Sequence, residues 1–170
     1  MPGHRSQAGT TSKSPERQLA AFMARYRPEV ARIARAARRK LRRLLPGALE
    51  LVYDNYNALV IGFGPTERAS DAVLSIAVYP QWVRLFFLQG AGLPDPSGVL
   101  RGSGSRVRSI LVEQPSLLES AVVRQLIEVA AARGQVALEP RQRRRLIIKS
   151  VSATQRPRRP GKASVRRTRR

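Results

Sequence analysis

Three runs of alternating side chains in the middle of the chain set the terms for its fold. Leu59, Ile61 and Phe63 interleave with Val60, Gly62 and Gly64. Leu74, Ile76 and Val78 interleave with Val73, Ser75, Ala77 and Tyr79, and Val83, Leu85 and Phe87 with Trp82, Arg84, Phe86 and Leu88. Strand side chains point alternately to opposite faces, so each run presents an apolar face. The third run is apolar on both faces. Such a strand needs cover on two sides, or on one side plus a ligand or partner. All three runs fall within residues 50–89, which also hold seven of the nine Phe, Tyr and Trp residues. This stretch is the core of a sheet.

The flanking elements follow from local signals. Ser14-Pro15-Glu16 reads as an N-cap with proline at the first helical position. Leu19, Phe22, Met23 and Tyr26 then recur at helical spacing. Pro28 and Glu29 open a second helix running to Leu44, with Val30, Ile33, Ala34, Ala37, Leu41 and Leu44 as its apolar stripe. Pro46-Gly47 ends it. Residues 49–56 read as a first strand, 107–112 and 146–151 as later ones, with Pro80-Gln81 as a hairpin connection. Ser116 with Glu119 has the capping-box spacing for a helix to Arg133, whose expected buried stripe is Leu118, Val122, Leu126 and Val129. The expectation is an α+β fold: an antiparallel sheet of about five or six strands, packed by two N-terminal helices and one C-terminal helix. Residues 1–13 read as a disordered leader, 14–151 as the domain and 152–170 as a basic disordered tail.

The charge of this chain is unevenly placed. Its net charge is +21, split as +9 over residues 1–50, zero over 51–138 and +12 over 139–170. Twenty-eight of the 32 cations are arginine, the side chain suited to planar contact with phosphate or carboxylate. In the second predicted helix Arg32, Arg35, Arg39 and Arg42 share a side, with Arg38, Lys40 and Arg43 filling in. Like charges at these spacings weaken a helix, so something must compensate for them. A second cluster, Arg141, Arg143, Arg144 and Arg145, precedes the last predicted strand, and Arg158 and Arg159 lie in the tail. The tail has no aromatic residue, so contact with nucleic acid there is limited to phosphates.

Composition and spacing argue against catalysis. The absence of cysteine removes thiolate metal sites and thiol nucleophiles. His4 is the single histidine, and Asp54, Glu67, Asp71 and Asp95 sit in separate strands or turns. Ser103 and Ser105 therefore lack an activating base. Pro94-Asp95-Pro96 reads as turn chemistry. Gly102 and Gly104, surrounded by Arg101, Arg106 and Arg108, suggest an anion cradle, although a glycine-rich turn into a strand explains them as well. A non-enzymatic protein without a cofactor is expected. No run resembles a signal peptide or approaches a membrane span, so the expected compartment is the cytoplasm.

The order of elements, together with LVYDNYNALVIGFG, SIAVYPQWVRLFF and LRGSGSRVRSI, resembles the bacterial YdhG-like family. Tyr53, Tyr79, Phe86, Gly104 and Arg108 fall at the family's recurring positions. The resemblance implies a small α+β domain, distantly likened to frataxin-type iron chaperones. An iron role calls for clustered carboxylates, whereas residues 1–50 hold only Glu16, Glu29 and Glu50.

Three readings of function follow. The first is a binding module contacting nucleic acid or another polyanion through Arg35, Arg39, Arg42, Arg143, Arg144, Arg145, Arg158 and Arg159. The second is a module for an unknown small ligand, using Tyr53, Asn55, Trp82, Arg106 and Arg108 around an open sheet face. It predicts a concave pocket. The third is iron delivery.

Overall fold

The computed structural model describes residues 13–161. Helices α1 (Pro15–Ala24) and α2 (Pro28–Leu44) come first, followed by β1 (Leu49–Asp54), β2 (Leu59–Gly64), β3 (Leu74–Val78), β4 (Val83–Phe87) and β5 (Arg108–Leu111). Helix α3 (Ala121–Ala132) and strand β6 (Leu146–Val151) complete the order. The strands form one sheet in the order β5-β4-β3-β2-β1-β6.

The α+β architecture is the expected one, with one change of topology. Strands β1 to β5 form an antiparallel meander, but β6 lies parallel to β1. A parallel neighbour requires a crossover connection. Here the chain leaves β5 at one edge, passes through α3, and returns to the opposite edge.

Strand alternation puts Val52, Leu59, Ile61, Phe63, Leu74, Ile76, Val78, Val83, Leu85 and Phe87 on one face. There they share a single core with Leu19 and Met23 of α1, Val30, Ala34, Ala37 and Leu41 of α2, and Val123, Leu126 and Ile127 of α3. All three helices thus cover the same side of the sheet. Tyr26 joins this core with its ring fully buried, its hydroxyl donating to the Val78 carbonyl at 2.8 Å and accepting from Leu59 N at 3.0 Å.

Helix α3 starts later than the capping-box signature implies. Residues Pro115–Glu119 form a 3-10 turn, and Ser120 is the N-cap, its hydroxyl accepting from Val123 N at 3.3 Å. The shift rotates the buried stripe to Val123, Leu126 and Ile127 and leaves Val122 exposed. Pro115 favours a tight first turn, and Ser120 offers the better-placed hydroxyl.

Gly47 shows why the turn after α2 needs glycine. Its φ is +81°, and a Cβ there would stand 1.9 Å from the Glu139 carbonyl oxygen. The chain before β6 is thereby packed onto this turn, with the Gln142 side-chain amide donating to the Gly47 and Pro65 carbonyls.

The domain also extends past residue 151. Residues 152–161, assigned by composition to the tail, lie against β1 and the end of α1. Ser152 N donates to the Asp54 carbonyl and Arg156 N to the Tyr56 carbonyl, both at 2.9 Å. The segment is held by hydrogen bonds rather than by an apolar stripe, so hydropathy alone does not register it. Residues 1–12 and 162–170 lie outside the described residues, and His4 and the last five cations lie there with them.

Candidate polyanion interface

The two acids of β1, Glu50 and Asp54, both face the helices, and each collects arginines. Glu50 is buried and accepts from Arg38 Nε at 2.5 Å, while Arg42 Nε stands 3.3 Å away without hydrogen-bond geometry. Arg38 also makes a bidentate contact to Glu16, at 2.8 and 3.0 Å. Burial pulls Arg38 toward neutrality, but its hydrogen bonds to Glu16 and Glu50 outweigh this and raise its pKa. The same bond to Arg38 holds the Glu16 carboxyl below its usual range, against the opposing effect of desolvation.

Asp54 is fully buried, 0% exposed, between Arg158 and Arg25. Arg158 donates to Asp54 Oδ1 at 2.9 Å, to the Asn55 carbonyl at 2.6 Å and to the Tyr56 carbonyl at 3.2 Å. Its guanidinium lies 5.5 Å from the centre of the Tyr26 ring, a cation–π contact. Arg159 donates to the Tyr26 and Ala24 carbonyls, both at 2.9 Å, opposite the C-terminal end of α1. Arg158, read from sequence as a phosphate contact, is therefore a buried structural residue at 4% exposure. Arg159 is also engaged within the chain. Arg145 pairs with Glu67 at 2.6 Å, and Arg144 donates to the Arg42 carbonyl at the end of α2.

The outward side of α2 is different. Arg32, Arg35, Arg39 and Arg43 are exposed and spaced by three or four residues, on the reverse of the buried stripe Val30, Ala34, Ala37 and Leu41. Glu119 serves the helix end, pairing with Lys40 at 2.5 Å and standing 3.6 Å from Arg43; Lys40 chiefly lowers its pKa. Arg32, Arg35 and Arg39 make no ion pair or hydrogen bond through their side chains among the described residues. Arg143 is likewise exposed and unpaired among them. The compensation that the sequence called for thus reaches the flanks of α2 through Glu16, Glu50 and Glu119, and stops short of its outward stripe. In all, residues 13–161 hold 26 of the cations and all 11 acids.

The small-ligand residues do not gather. Tyr53 stands on the sheet face away from the helices, one strand in from the β6 edge; its hydroxyl is buried without a partner among the described residues, and burial raises its pKa. Trp82 is exposed at the hairpin before β4, against Tyr79, and Asn55 lies exposed in the turn after β1. Arg108 donates to the Gly104 and Val107 carbonyls within the glycine-rich loop. Arg106 lines a cavity of about 130 Å³ with Asp71, Gln89 and Arg133, and none of the other four residues reaches it. Asp95 accepts from Val99 N and Leu100 N, the turn chemistry its flanking prolines imply.

Among the described residues no three His, Asp or Glu side chains come together in a way that suits a metal ion. Asp54 and Glu50, the two strand carboxylates, are each occupied by arginine. No helix among those residues is long and apolar enough to cross a membrane. No family model, curated protein or solved structure matches the chain.

Proposed function

We propose that this chain is a non-enzymatic binding module that contacts a polyanion, nucleic acid foremost, through the outward stripe of α2. The observation carrying this reading is the contrast within one helix. Arg38, Lys40 and Arg42 stand against carboxylates, while Arg32, Arg35 and Arg39 form no ion pair among the described residues. A row of like charges at these spacings destabilises its own helix, and an external anion removes that penalty. Arg143 and Arg144 extend the cationic surface beyond the C-terminus of α2, where the helix dipole also favours positive charge. The α+β arrangement is the one implied by the YdhG-like resemblance, and membership of that family is part of the same reading.

The test is titration of the full chain with a DNA duplex over a salt series. Binding through this stripe gives affinity that falls steeply with salt, and truncation after residue 161 leaves part of that slope in place. Cutting at residue 139 is unsuitable, because it removes β6 and Arg158. Weak binding that ignores salt contradicts the proposal.

A further inference from the structure

The sheet face opposite the helices carries its own constellation. Hydrogen-bonded register places Tyr53 beside Val60, Val60 beside Ala77, Ala77 beside Arg84 and Arg84 beside Leu111, one row across five strands. Along β4 and its approach, Trp82, Arg84 and Phe86 occupy successive outward positions, roughly 6.7 Å apart. Several of their neighbours on this face are small, Ala77 and Ser75 on β3, Gly62 on β2 and Ser109 on β5, while Leu111 flanks Arg84 on β5. The aromatic and guanidinium groups thus lie over small residues, of which Ala77, Ser75 and Ser109 are buried. Trp82 is 46% exposed, with Tyr79 tilted against it at 5.7 Å between ring centres.

Arg84 is the telling residue. It is half-buried, and its side-chain hydrogen bonds go to one neutral atom, Ser109 Oγ, from Nε at 3.2 Å and from a terminal nitrogen at 3.0 Å. No carboxylate pairs with it among the described residues. A half-buried guanidinium without a counter-charge has donors left over for an anion. Within the six strands the only acids are Glu50 and Asp54, and both point to the helix side. Glu113 is an exposed carboxylate at the β5 end of this face, one residue past the hydrogen bond from Val112 N to the Val83 carbonyl.

We infer that this face is a platform for single-stranded nucleic acid, with bases stacking on Trp82 and Phe86 and a phosphate taken by Arg84. Flat rings at strand spacing around a fixed guanidinium suit unpaired bases, which expose their faces as duplex bases do not. Charge complementarity selects this occupant over a second copy of the chain, which would set Arg84 against an equally cationic molecule. The site lies across the molecule from the α2 stripe and stands on separate residues, so either can fail alone.

Trp82 is the sole tryptophan, which makes the test direct. The full chain is titrated with an oligo-dT of about 12 nucleotides, within the usual span of single-strand sites. Base-free polyphosphate and a duplex of equal length are titrated in parallel, and tryptophan fluorescence is followed. The expected result is quenching by oligo-dT alone. Phe86→Ala then weakens oligo-dT binding by about 5- to 150-fold. Phe86→Leu, which keeps most of the volume, does nearly the same. Arg84→Gln lowers the salt slope by about 0.7, and Glu113→Gln tightens binding. Binding of oligo-dT without any fluorescence change overturns the inference while leaving the α2 proposal intact. So does unaltered affinity in the Arg84 and Phe86 variants. A fluorescence shift that depends only on protein concentration, with a dimer in sedimentation, assigns the face to a second copy and overturns it equally.

Discussion

The arginines around residues 156–159 and those along residues 32–43 come from comparably basic stretches, yet the fold uses them differently. Arg158 is sealed against Asp54 and the Tyr26 ring, and Arg159 is bonded to the carbonyls of Ala24 and Tyr26 at and just past the end of α1. Arg32, Arg35 and Arg39 face outward and form no ion pair among the described residues. The difference lies in where buried acceptors are available. Asp54 ends β1 on the helix side, and the orphan carbonyls at the end of α1 sit nearby, so a passing chain with arginines is captured there. Among the described residues nothing comparable pairs with the outward side of α2. Arginine enrichment by itself therefore does not distinguish a structural clamp from a binding surface; the acceptor geometry does.

The largest effect expected from breaking this contrast is on the clamp. Asp54→Ala leaves Arg158 buried without its partner, which should cost about 3–5 kcal/mol. In a chain of this size each kcal/mol corresponds to roughly 2–4 °C in melting temperature, readable by calorimetry. The same substitution should release residues 152–161 to limited proteolysis.

Next in size is Tyr26→Phe, which strips a donor from the Val78 carbonyl and an acceptor from Leu59 N, at about 1–3 kcal/mol. This residue also carries a signature in alkali. Burial pushes its pKa up from 10.0 to about 12. The folded state then holds a proton that the unfolded chain has released, so its contribution is complete below pH 10 and is lost as pH rises through about 12. In Tyr26→Phe that component of the alkaline loss should vanish from pH-dependent denaturant melts.

Glu16→Gln should have a smaller effect, at most about 1 kcal/mol, because this carboxylate is half exposed. Its pKa is lowered by Arg38, so the stabilisation is present above the ordinary carboxyl value of 4.5 and fades as pH falls through the depressed pKa. Stability compared at neutral and acidic pH should separate wild type from variant only at the neutral end.

Smallest of all, and of opposite sign, is the combined change Arg32→Gln, Arg35→Gln and Arg39→Gln. Removing like-charge neighbours on α2 should leave the thermal midpoint unchanged or raise stability by up to about 1 kcal/mol. Loss of several kcal/mol would make the stripe structural and erase the contrast with the clamp.

Much of this architecture is legible in the chain. Pro28 and Leu44 bound α2 as local signals require, and the alternation at residues 59–64, 74–78 and 83–87 gives three strands of the meander. The parallel placement of β6 is not legible, because it depends on a crossover rather than on any pattern within 146–151. The clamp was hidden for a similar reason. Asp54 and Arg158 are 104 positions apart, and nothing local joins them. One signal was present for the outward face: residues 82–88 are apolar on both sides, yet helices cover only one. That mismatch points to Arg84 and Phe86, whereas Asn55 lies in the turn after β1 and Arg108 is bonded to carbonyls of its own loop.

The measurement that bears most directly on the division between clamp and stripe is the salt dependence of duplex binding, compared between wild type and the Arg32, Arg35 and Arg39 triple glutamine variant. If the stripe holds the phosphates, the logarithmic slope drops by about 2.7 with the fold intact. An unchanged slope in a folded triple variant would contradict the account.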